Sequence, residues 1–146
     1  MIGEHFQHIS QNEFNEDIKI VLEKEAGEYY FLLCTKHTKG EENEIRLVRY
    51  KKMDFLPLYE FEQYYNPVQS SVGSDHLNNY QFIVYGNREK LGADYFTYRK
   101  NIKFKRVSLP VEDFFIHIET NEDAFLVPRV NFYSEDRGIV ASTIAK

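Results

Sequence analysis

His117 and Glu119 in "FFIHIET" are the pair in this chain best suited by type and spacing to do chemistry. Two residues apart on an extended segment, their side chains leave the same face of the backbone. An imidazole and a carboxylate so placed can act as a general-base couple or supply two ligands to a metal. Either role needs further groups to converge, and Glu112, Asp113 and His76 are the candidates the sequence offers. The plainer account is an exposed cross-strand pair that decorates a sheet. Strict alternation would place Phe114, Ile116 and Ile118 inward and leave Phe115, His117 and Glu119 on the opposite face.

Other reactive residues are sparser. "EHFQHIS" sets His5 and His8 three apart with Glu4 alongside, which lacks the His-Glu-x-x-His spacing of zinc hydrolases. Asp75 and His76 lie near Ser70, Ser71 and Ser74, but no nucleophile-elbow pattern accompanies them, and a polar turn accounts for the cluster. Cys34 is the only cysteine, so no disulfide can form within the chain. Set between Leu33 and Thr35 in an apolar run, it is assigned to the core. "GNREKLG" lacks phosphate-loop and dinucleotide spacing and serves as a connection between strands. "KGEENE" lacks the twelve-residue calcium loop. No cofactor and no metal is therefore expected.

The one strongly basic stretch is "YRKNIKFKRV", residues 98–107, which gathers Arg99, Lys100, Lys103, Lys105 and Arg106 around Tyr98 and Phe104. As a strand it would point Ile102 and Phe104 inward and Lys103 and Lys105 to water. That is the ordinary dress of a solvated face or a charged edge. As a nucleic-acid surface it would stack bases on aromatics and track phosphates, with a log–log salt slope of about −3.5 if all five cations engaged a single strand. The chain as a whole is acidic, with net charge −5, and residues 1–28 carry all of it, seven acids against two lysines. A dominant positive field is missing, and so is any recognisable nucleic-acid module.

The elements that would position these groups are mostly strands. With 12 Phe, 11 Tyr and no Trp in 146 residues, composition favours pleated, half-buried surfaces. "DIKIVLEK" alternates, "YYFLLCT" is apolar on both faces, and "IRLVRY" follows a polar loop, so residues 17–50 form a three-stranded meander. Ser10 and Glu13 have capping-box spacing, which predicts a short helix before residue 17. Over residues 54–65, Pro57 could open a helix with Leu58, Phe61 and Tyr65 on one face, and the pattern leaves helix and strand open. "VQSSVGSDHLNN" has the composition of a mobile loop. "YQFIVYG", "DYFTYR", "IKFKRVSL", "FFIHIE" and "AFLVPRVNFY" are further strands, with Pro128 marking an edge or a bulge.

The expected fold is mainly β within α+β: one domain over 1–146, an antiparallel sheet, sandwich or open barrel of about seven to nine short strands, with one or two short helices. No signal-peptide pattern or membrane-length apolar run is present, so a cytoplasmic, soluble protein is expected. In general character the composition resembles the immunity and inhibitor proteins of bacteria and phages, an analogy that rests on no motif. It implies a non-enzymatic protein that binds another protein through an aromatic- and charge-bearing sheet surface. Tyr95, Tyr98, Arg99, Lys100, Lys103, Lys105 and Arg106 would form the contact, and Tyr29, Tyr64 and Tyr65 are further anchors. The alternatives are a ligand-binding barrel or small enzyme using His117 and Glu119, single-stranded nucleic-acid binding through residues 98–107, and a homodimer through the aromatic faces.

Overall fold

The computed structural model describes residues 17–37, 44–52, 59–65, 71–121 and 126–143. The chain divides into two compact units, Met1–Asn66 and Pro67–Lys146. Both are antiparallel β structures, so the mainly-β expectation holds. Eleven strands are described, rather than seven to nine.

In the first unit β1 (Asp17–Ala26), β2 (Tyr29–His37), β3 (Glu44–Lys52) and β4 (Tyr59–Tyr65) form one meander in sequence order. The three strands expected from alternation are all present. Phe31, Leu32, Leu33 and Cys34 of β2 are buried in succession, which is how a strand covered on both faces behaves. Leu32, Cys34, Val48 and Tyr50 share one cluster. The residues left open between helix and strand belong in part to β4, which pairs along β3 from Lys52↔Tyr59 to Leu47↔Tyr65. Arg49 of β3 holds Glu62 of β4 at 2.7 Å and lies over the Tyr29 ring, 4.7 Å from its centroid. The predicted helix before residue 17 and the "KGEENE" loop lie, but for Glu44, outside the described residues.

The second unit contains two sheets. One has the order β5-β6-β9, from β5 (Val72–Asn78), β6 (Gln81–Asn87) and β9 (Phe114–Thr120). The other has the order β11-β10-β7-β8, from β7 (Tyr95–Lys100), β8 (Lys103–Ser108), β10 (Val130–Ser134) and β11 (Gly138–Ser142). Phe82 and Val84 of the first sheet and Phe96, Tyr98 and Phe132 of the second share one core cluster with Phe115 and Val130. Burying Phe and Tyr side chains of this size supplies about 1.5–3 kcal/mol each before ordering costs. Phe96 meets Phe132 at 5.6 Å, and Phe82 meets Tyr98 edge-on at 5.0 Å.

Three expectations are corrected in this unit. The stretch assigned to a mobile loop contains β5, which pairs along β6 from Val72↔Gly86 to Asn78↔Gln81. Its polar composition concealed a strand anchored by buried Val72 and Leu77. Asp75 and His76 accordingly sit in a strand rather than a turn, with the His76 amide donating to Asp75 Oδ1 at 2.8 Å. Of the edge or bulge expected at Pro128, the edge is not found: β10 begins two residues later, at Val130, and lies between β11 and β7, while its register with β11 shifts between Phe132 and Tyr133.

"GNREKLG" makes a single helical turn, α1 (Arg88–Leu91). The Asn87 side chain accepts from the Lys90 amide at 3.1 Å, and Gly92 closes the turn at φ 70°, where a side chain would be strained. Gly86 meets a different constraint: a Cβ there would lie 2.7 Å from the Ser71 carbonyl oxygen.

Candidate functional site

Two features of the second unit bring together residues capable of recognition or chemistry. The first is a polar cluster at the margin of its core. On β9, Phe115, His117 and Glu119 oppose Gly86, Val84 and Phe82 of β6 respectively. Residues paired across strands share a face, and Phe82, Val84 and Phe115 belong to the inter-sheet core. The predicted orientation is therefore reversed: His117 and Glu119 face the interior with Phe115. The reversal went unseen because the other face is buried too, with Ile83 and Tyr85 at 0% exposure and Ile116 at 6%.

Glu119 is 8% exposed and saturated with donors. The Tyr98 hydroxyl donates to Oε2 at 2.5 Å, the Lys105 ammonium donates to the same oxygen at 2.9 Å, and His117 Nε2 lies 2.8 Å from Oε1. His117 also stands edge-on to Phe96 at 5.6 Å. Burial by itself would raise the carboxyl pKa, but the hydrogen bonds from Tyr98, His117 and Lys105, with the Lys105 charge, outweigh it and hold the pKa below the ordinary carboxylate value. Tyr98 moves the other way: burial, then its bond to Glu119, then the carboxylate charge all favour the neutral phenol. A carboxylate so well solvated by the protein is a weak base. What the geometry does well is tie β7, β8 and β9 together through one anion. Glu112 and Asp113 are exposed and do not join it; the Asp113 carbonyl instead accepts from the Arg88 and Glu89 amides. Among the described residues, no three His, Cys, Asp or Glu stand close enough to hold a metal ion. His5 and His8 lie outside the described residues.

The second feature is the β7–β8 hairpin. Lys100 pairs with Lys103 across the two-residue turn Asn101-Ile102, and Asn101 takes φ 58°, a left-handed conformation that asparagine tolerates better than most residues. Among the described residues β8 ends its sheet, with no strand along its outer edge. The expectation that Ile102 and Phe104 anchor the interior fails, since they are 85% and 69% exposed. Pairing shows why. Lys105 opposes Tyr98, which is wholly buried, and so leans over the rim to reach Glu119, while Phe104 opposes Arg99 on the outer face. Sequence pattern detects the alternation of β8 but not which phase faces the core, because an edge strand can satisfy a lysine over the rim.

The residues assigned to partner binding therefore separate. Tyr98 is buried and committed to Glu119, and it offers no contact surface. Tyr95 is half-buried, stacked on Tyr133 at 5.2 Å with the Arg106 guanidinium 3.7 Å from its ring centroid. Arg106 also meets Glu135 at 3.4 Å. Arg99 donates from Nε to the Asn101 carbonyl at 3.0 Å. Lys100 and Lys103 make no ion pair among the described residues. Of the further anchors, Tyr29 is half-buried beneath Arg49.

Beside the hairpin lies an open groove of about 640 Å³ that the sequence did not disclose. Its described lining comprises Arg99, Phe104, Leu126, Pro128 and Arg129, with Asn101, Asn121 and Asn131 contributing amides. The lead-in to β10 brings residues distant in sequence beside the hairpin, so no local motif could reveal them. No protein-family model, curated protein or solved structure matches the chain.

Proposed function

We propose that this chain is a cytoplasmic, non-enzymatic protein that binds another protein through the outer face and tip of the β7–β8 hairpin. The observation that carries the proposal is the exposure of Ile102 in the hairpin turn and Phe104 on β8, at 85% and 69%, beside exposed Arg99, Lys103 and Arg106. Large apolar side chains set among charges on an edge are what an interface anchor and its steering rim require. The buried, thiol-only Cys34 accords with a reducing compartment. The Glu119 cluster adjoins this surface, since Lys105 of β8 reaches Glu119 at 2.9 Å.

The test is retention of a macromolecular partner from a lysate of the source cells on the immobilised chain. Retention should survive nuclease treatment and be lost in an Ile102→Ser, Phe104→Ser double variant whose circular dichroism is unchanged. Equal retention by the double variant, or loss of the partner on nuclease treatment, would remove the proposal.

A further inference from the structure

Within that reading, we infer that the groove beside the hairpin receives an extended acidic peptide segment bearing one apolar side chain.

The lining has two kinds of surface. Phe104, Leu126 and Pro128 supply apolar surface, and Phe104 and Leu126 are 69% and 70% exposed, so their surfaces are unclaimed by the fold. Arg99 and Arg129 belong to the same lining. Among the described residues Arg129 makes no hydrogen bond or ion pair, and Arg99 is held only through Nε, which leaves the outer guanidinium nitrogens for a ligand. A planar guanidinium with open N–H groups matches a carboxylate in bidentate geometry. The described lining includes two arginines and no acid; Glu122 and Asp123, which follow Asn121 in sequence, lie outside the described residues. The charge of the described lining thus favours an anionic occupant.

The amides decide between anions. Asn101 and Asn131 line the groove, and a primary amide can both donate to and accept from a peptide backbone. Asn131 Oδ1 is already engaged by the Ser142 hydroxyl at 2.6 Å, which leaves its NH₂ group as a donor with no partner among the described residues. A single-stranded nucleic acid would instead want successive aromatic platforms, and Phe104 is the only aromatic among these lining residues. Leu126 and Pro128 suit an aliphatic side chain better than a base.

The probes are three: the blocked peptide Glu-Asp-Leu-Glu-Asp, its neutral counterpart Gln-Asn-Leu-Gln-Asn, and a ten-residue oligo-dT. Each is titrated into the ¹⁵N-labelled full chain at low salt. The acidic peptide should shift amide signals of Arg99, Asn101, Phe104 and Asn131, and the neutral peptide should bind at least about fivefold more weakly. Arg99→Ala and Arg129→Ala should each weaken the acidic peptide by about threefold, as expected of exposed ion pairs, with otherwise unchanged spectra. Absence of shifts up to millimolar peptide, equal binding of the neutral peptide, or shifts outside the groove would overturn the inference. So would tighter binding of oligo-dT at the same residues. Arg129 lies outside the hairpin, which separates the two proposals. If partner retention needs Ile102 and Phe104 but ignores Arg129→Ala, only the groove assignment falls.

Discussion

Replacing Glu119 with Leu should expose how much of the second unit depends on one buried anion. The substitution removes the acceptor of a wholly buried tyrosine hydroxyl while nearly preserving side-chain volume. An unsatisfied buried hydroxyl costs about 1–3 kcal/mol, and a hydrogen bond to a charged group contributes a comparable amount. Lys105 adds little, because its side chain is 43% exposed and water replaces most of what it loses; such a pair is worth below about 1 kcal/mol. The expected loss for Glu119→Leu is about 2–3 kcal/mol, and for Tyr98→Phe about 1–2 kcal/mol, since the carboxylate there keeps Lys105 and His117. The double variant should lose less than the two together, by about 1–2 kcal/mol, because no orphaned hydroxyl remains. Urea unfolding of the full chain, followed by tyrosine near-ultraviolet circular dichroism because the chain has no tryptophan, would show a midpoint shift of about 1 M for the carboxylate variant. Additive losses, or an unchanged midpoint in Glu119→Leu, would refute the role assigned to the cluster. Acid gives an independent reading of the same bond. The folded-state pKa of Glu119 is depressed, so its stabilisation is present above the ordinary carboxylate value of 4.5. As pH falls below that value the unfolded chain takes up the proton first, and the gap between wild type and Glu119→Leu should narrow.

Further outcomes follow from other residues. Cys34 is 2% exposed, with a thiol pushed up to about 12 chiefly by burial, so aromatic disulfide reagents should leave it unmodified until the chain is unfolded. Its raised pKa means that stability is intact below pH 9 and declines as pH rises toward 12, by up to about 1.4 kcal/mol per pH unit from this group, a decline absent in Cys34→Ala. Gly86→Ala should cost about 1–3 kcal/mol in thermal or urea unfolding, because the new methyl would press on the Ser71 carbonyl and the Phe115 ring. Phe104→Ser should change stability by no more than about 0.5 kcal/mol, as an exposed side chain with few contacts does, and unfolding midpoints equal to wild type would check it.

What could be read from the chain, and what could not, divides along physical lines. The meander of β1 to β3 was legible because Ile18, Ile20 and Leu22 alternate and β2 is apolar throughout. β5 was not, since Ser74, Asp75 and His76 outweigh Val72 and Leu77 in any local window; its pairing comes from β6, a tertiary influence. β4 was ambiguous for a related reason, with Leu58, Phe61 and Tyr65 fitting a helical spacing that sheet pairing overrides. The pair His117 and Glu119 was visible as chemistry, but its direction was not, because β9 is apolar on both faces. Tyr98 and Lys105, which complete that cluster, lie 21 and 14 residues from Glu119 in sequence, and the register of β7 with β8 sets them side by side. The groove depends on the path of the chain before β10, which periodicity cannot supply.

The terminal position of β8 has a consequence for self-association. Two copies approaching edge to edge along this strand would set lysine and arginine side chains of one against the same cations of the other, and repulsion would oppose the sheet's continuation into a polymer. The exposed Phe104 is thus displayed on a border whose own cations discourage pairing with a second copy.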